Sequence, residues 1–171
     1  MNFLLFIILS GRSDSPLFVL GISFIFGVLL PIIVFVFLRK KKKIINDDAT
    51  IKEERTLPYL IGAFFCLTAA VIFYLAGTEI LFVVLWSVYF ATSILITLIN
   101  KYWKISAHAM GAGIPFGVLI FLGNDFYLLY GLFLFLIFWA RLTLRVHTPA
   151  QVFWGAALGS ILPIIILRIA L

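Results

Sequence analysis

The chain has 171 residues, 64% of them hydrophobic and 12% charged, with a mean hydropathy of +1.22. That balance excludes both an ordinary soluble domain and a disordered chain, which carry far more polar side chains, and it indicates an integral membrane protein. Lys and Arg number 13 against 7 Asp and Glu, a net charge of +6 that favours an anionic partner. Because this charge flanks apolar runs and no soluble module accompanies it, a phosphorylated headgroup is expected and nucleic acid is not.

The opening MNFLLFIIL is too short to cross a hydrocarbon layer of about 30 Å. It also has no basic n-region and no A-x-A cleavage site, so residues 1–15 are expected to form an interfacial segment and not a signal peptide. Six apolar runs follow, at Pro16 to Leu38, Pro58 to Ala76, Ile80 to Ile99, Ser106 to Leu122, Phe126 to Ala140 and Pro149 to Leu167. The fifth is short, and its helix is expected to continue through Leu142 and Leu144 into the interface. In lipid each backbone must satisfy its own hydrogen bonds, so the runs are read as helices. The expected fold is all-α: a polytopic membrane helix bundle of about six transmembrane helices, a single membrane domain over 1–171 with its core at 16–171. Cys66 is the one cysteine, which rules out an intrachain disulfide or a cysteine-based metal site.

Basic residues orient such a bundle, since cytoplasmic loops carry the excess of Lys and Arg. The loop after the first run begins Arg39-Lys40-Lys41-Lys42-Lys43 and also holds Lys52 and Arg55. Helix parity puts residues 100–105 and 141–148 on the same side, with Lys101, Lys104, Arg141 and Arg145. A multi-pass protein of the cell membrane with these loops on the cytoplasmic side is expected. The five-residue basic run is read as a topology anchor that also attracts anionic lipid. Lys104, Arg141 and Arg145 are different: they sit tight against span ends, where charge stays at interface depth and can converge on one headgroup.

Both histidines of the chain lie on that face, each opening an apolar run. In Arg145-Val146-His147-Thr148-Pro149-Ala150-Gln151, Thr148 suits an N-cap, Pro149 the first helical position and Gln151 the third, a capping-box pattern. His147 then stands at a helix N-terminus, where free N–H groups and the helix dipole attract phosphate. Ser106 likewise caps the helix that carries His108 in its first turn. Two imidazoles beside such termini, ringed by Arg and Lys, suit phosphoryl transfer, one attacking phosphorus and the other protonating the leaving oxygen.

These residues resemble the type 2 phosphatidic acid phosphatase superfamily over roughly residues 16–171. The third signature of that family, Ser-Arg, five residues, His, three residues, Asp, is similar to Ala140-Arg141, His147 and Gln151, followed by Gly155 and Gly159. Its second, Pro-Ser-Gly-His, resembles Ile105-Ser106-Ala107-His108, and its first, a Lys upstream of Arg-Pro, is loosely matched by Lys52, Arg55 and Pro58. The resemblance implies His147 as a nucleophile that forms a phosphohistidine and His108 as general acid. It also implies phosphate binding by Lys52, Arg55, Ser106 and Arg141, with Lys104 joining them by proximity to Ser106, and it calls for no metal or cofactor. Gln151 departs from the pattern by replacing the carboxylate that orients the histidine; its amide oxygen can accept the ring N–H without a full charge.

The expected activity is therefore hydrolysis of a lipid phosphate or diphosphate, with membrane lipids as the other partners. Two alternatives differ in kind. One is a membrane protein that binds lipid phosphate with little or no turnover. The other is a Mg-dependent prenyl or alcohol-phosphate transferase using Asp47, Asp48, Glu53 and Glu54, although one loop alone supplies those acids. Neither the substrate's tail nor the oligomeric state is written in the sequence.

Overall fold

A computed structural model describes residues 2–43 and 52–171; of Asn2, Lys52 and Glu53 it describes the backbone alone. The described chain is all-helical: α1 (Asn2–Leu9), α2 (Pro16–Phe24), α3 (Leu30–Lys40), α4 (Thr56–Leu75), α5 (Ile80–Tyr102), α6 (Ala107–Phe121), α7 (Tyr127–Thr143) and α8 (Pro149–Ala170). The described chain forms two compact units, an N-terminal one from Phe3 to Lys101 and a C-terminal one from Tyr102 to Leu171.

Four helical stretches are long and apolar enough to cross a membrane: Pro16–Lys40, Thr56–Leu75, Ile80–Tyr102 and Pro149–Ala170. Helices also form at the other two expected runs, but α6 has 15 residues and α7 has 17. At 1.5 Å per residue they reach about 22 and 26 Å, short of a hydrocarbon core of about 30 Å. End signals explain α6. Ser106 caps its start, and Gly123, at φ +61°, ends it in a left-handed turn in which the Gly123 and Asn124 N–H groups bond the Ile120 and Leu119 carbonyls. The fifth helix does continue beyond Ala140, as far as Thr143.

In the N-terminal unit, α2 and α3 form one 25-residue rod joined by a π-helical turn at Ile25–Leu29. Pro31 accounts for the turn. It has no N–H to offer the Gly27 carbonyl and its ring would collide there, so widening the helix just before it relieves the conflict. The segment read as interfacial is helical, and its apolar face packs on α5: Leu5 and Leu9 are fully buried, and the Phe6 ring lies 5.2 Å from Trp86 and 6.5 Å from Phe82. Phe73 of α4 extends the same stack to Phe82 at 6.2 Å. Burying rings of this size supplies dispersion and stacking energy that lipid-exposed positions lack.

The C-terminal unit is built on a seam between α6 and α8. Gly113 and Gly117 on α6 face Gly155 and Gly159 on α8, each pair one turn apart. A Cβ on Gly113 would come 2.7 Å from the Ala156 carbonyl oxygen, and one on Gly155 would come 2.6 Å from that of Ser106. On Gly117 and Gly159 it would strike the Ser160 and Met110 carbonyls. Only glycine admits this approach, which replaces the hydrophobic drive absent between helices in lipid with close backbone packing. The same seam fixes the register of the two helix N-termini.

Candidate functional site

The site grows from the two loops that enter α6 and α8. Ser106 is buried, its hydroxyl accepts the Ala109 N–H at 3.3 Å, and its own N–H donates to the Gln151 carbonyl at 3.2 Å. The α6 entry is thereby tied to the first turn of α8. At that turn the capping box forms in full: the Thr148 hydroxyl accepts the Gln151 N–H at 3.3 Å, and the Gln151 side-chain oxygen accepts the Thr148 N–H at 3.0 Å. A second tie lies beside it, where the Lys104 ammonium donates to the Val146 carbonyl at 3.0 Å. Lys104 thus clamps the peptide just before His147.

Arg145 shapes the other wall. The last turn of α7 closes with the Arg145 N–H on the Leu142 carbonyl at 2.9 Å, and Arg145 takes a left-handed conformation at φ +54°. Glycine is the usual occupant of such a helix end, and a larger residue there costs on the order of 1 kcal/mol. Arg145, exposed, is one of the residues that line the recess.

The resulting recess, shallow and largely open, is about 470 Å³ in volume and is lined by Lys104, Leu142, Arg145, Val146, His147, Thr148, Pro149 and Gln151. Two basic residues and a histidine meet a helix N-terminus there, and among the described residues no acid lines it. His147 itself is buried, with 7% of its surface exposed. A tetrahedral oxyanion fits this chemistry: the Lys104 ammonium held on the Val146 carbonyl, the exposed Arg145 and a helix end all attract it, and the His147 imidazole is among the same lining residues.

Of the residues singled out from the sequence, His147, Gln151 and Lys104 line the recess. Ser106 does not line it; its hydroxyl is engaged as the α6 cap and its N–H on the Gln151 carbonyl. Arg141 is buried in the last turn of α7 at 6% exposure and does not line the recess. His108 does not line it either. The seam side of α6 runs through Ser106, Met110, Gly113 and Gly117, and at about 100° per residue His108 points roughly opposite to it, where it is exposed. Of the two histidines, His147 is the one among the lining residues. Gln151 takes the capping-box place that the sequence pattern gives it, its oxygen accepting the Thr148 N–H.

Arg55 belongs to the N-terminal unit, where it is buried and hydrogen-bonded to the Tyr59 hydroxyl. The Lys52 and Glu53 side chains, Asp47 and Asp48 lie outside the described residues. Among the described residues no group of three or more His, Cys, Asp or Glu gathers in metal-binding fashion. Arg145 and Thr148 are the polar lining residues that the resemblance passes over. The signal for Arg145 is its place against a span end, four residues after Arg141; for Thr148 it is the cap pattern itself. Comparison with family models, curated proteins and solved structures finds no match to this chain.

Proposed function

We propose that the protein is a membrane phosphatase that takes the phosphate of a lipid phosphate or diphosphate into the recess at the start of α8 and transfers it to His147. The observation that carries this reading is a buried imidazole inside a cation-lined recess at a helix N-terminus. In the reaction an imidazole nitrogen attacks phosphorus in line, the bond from phosphorus to the lipid oxygen breaks, and the leaving oxygen takes a proton, the part that the resemblance gives to His108. Water then cleaves the phosphorus–nitrogen bond, releasing inorganic phosphate and the free histidine. Lys104, Arg145 and the α8 N–H groups stabilise the charge that spreads over the equatorial oxygens. The positive-inside rule puts this face in the cytoplasm and the whole chain in the cell membrane, with six helices crossing and α6 and α7 met by a locally thinned bilayer.

The test is phosphate release by purified protein from a panel of lipid phosphates. His147→Ala abolishes release while the protein stays folded and monodisperse, and His108→Ala slows it if that residue is the proton donor. Turnover unchanged in His147→Ala rules the reading out. A second reading, capture of lipid phosphate without hydrolysis, is favoured by the position of His108 outside the recess and by the engagement of Gln151 in the capping box. It forecasts inorganic phosphate binding that His147→Ala weakens, with no phosphate released from any lipid.

A further inference from the structure

The N-terminal unit holds a second feature, which the recess and its chemistry do not use. Between α3 and α4 runs an apolar groove of about 140 Å³, walled by Pro31, Val34 and Phe35 on one side and by Pro58, Ile61 and Phe65 on the other. Gly62 completes it, and a Cβ there would meet no atom within 4 Å, so this glycine leaves the groove open. The Phe65 wall is braced by the edge of Phe26, ring centres 6.3 Å apart.

Just beyond the groove along the chain, α3 ends in a run of exposed cations. Phe35 lies one helical turn, about 6 Å, from Arg39. After it α3 closes in a left-handed turn at Lys42, φ +55°, with the Lys42 and Lys43 N–H groups bonding the Arg39 and Leu38 carbonyls, both at 2.9 Å. Arg39 and Lys40 to Lys43 are all exposed, and the Lys41 ammonium sits 5.8 Å from the centre of the Phe37 ring. A topology anchor explains such charge but not an open slot beside it.

We propose that this groove is a binding site for one anionic phospholipid, an acyl chain lying in the slot past Gly62 and the phosphodiester resting on the lysines at the end of α3. The two halves of the site match the two halves of the ligand. Basic clusters at a helix end attract acidic headgroups, and the slot adds apolar contact that a diffuse ion cloud cannot use. The ligand is a structural or regulatory lipid of the surrounding bilayer, and the assignment is independent of the recess in α8.

The full-length protein is purified in nanodiscs containing phosphatidylglycerol and phosphatidylcholine and then delipidated stepwise in detergent, with retained lipid read by native mass spectrometry. Wild type is expected to keep phosphatidylglycerol in preference to phosphatidylcholine. Gly62→Leu, which fills the slot and spares the charges, and the combined Lys40→Gln, Lys41→Gln and Lys43→Gln, which spare the slot, each lower that retention by about tenfold or more. A photoactivatable phosphatidylglycerol with its diazirine in the acyl chain labels wild type within 31–35 and 58–65, a readout that needs no variant to fold. Equal retention of the two lipids, loss in the lysine variant with none in Gly62→Leu, or labelling confined to other helices overturns the proposal. His147→Ala keeps the lipid, which separates this site from the phosphatase reading.

Discussion

The Lys104 ammonium and the Val146 carbonyl, 42 positions apart, meet at 3.0 Å and join the entry of α6 to the peptide that carries His147. One side chain therefore does two things, holding the wall of the recess and placing a positive charge in it. Lys104→Met keeps the apolar stem and removes both. Stability is expected to fall by about 1 to 2 kcal/mol, the range for a hydrogen bond to a charged group, and affinity for inorganic phosphate by about tenfold. Thermal unfolding and phosphate titration calorimetry check the two effects, and unchanged phosphate affinity would place the anion elsewhere.

Gln151 offers a sharper separation of fold from site. Its oxygen is held by the Thr148 N–H, so Gln151→Glu can keep the capping box while adding a negative charge at a helix N-terminus, which gains about 0.3–1 kcal/mol. The same charge repels an anion in the recess. The expected result is equal or higher thermal stability together with phosphate binding weakened by about tenfold or more. A variant that binds phosphate as wild type does would show that the anion lies away from Gln151.

The seam between α6 and α8 is tested by two glycines of one helix. Gly117→Ala drives a methyl group into the Ser160 carbonyl, whereas Gly111→Ala meets nothing within 4 Å. The first should cost about 3 kcal/mol through forced separation of the helices. The second should be neutral or stabilising by about 0.5–1 kcal/mol, as alanine restricts the unfolded chain. Equal denaturation midpoints for the two would contradict the seam.

In the N-terminal unit, Glu79 accepts the Asp14 N–H at 2.6 Å and the Ser13 hydroxyl at 2.8 Å. These bonds, the Asp14 one foremost, hold its carboxyl below the ordinary carboxylate range. A lowered folded value means that the contribution is full above the unfolded pKa and is lost as pH falls through the folded one. Water screens so exposed a group, and the loss stays under about 1 kcal/mol. Unfolding midpoints compared between pH 7 and pH 3 should fall by more in wild type than in Glu79→Gln, whose amide does not titrate there.

The apolar runs, the capping box at Thr148 and Gln151, and the Ser106 cap were all legible in the sequence, because helix periodicity, N-cap chemistry and hydropathy act over a few neighbouring residues. Which side chains share a wall was not. The placement of His108 depends on α6 turning its Ser106, Met110, Gly113 and Gly117 side to α8, and that choice is set by glycine contacts more than 40 residues away along the chain. Arg145 enters the recess through one left-handed residue, and Phe6 finds Trp86 through an aromatic stack. Local composition determined that this is a helical membrane protein with basic loops and capped helix starts; only close packing between distant segments decided which imidazole is enclosed, because contact geometry at that separation has no signature in neighbouring residues.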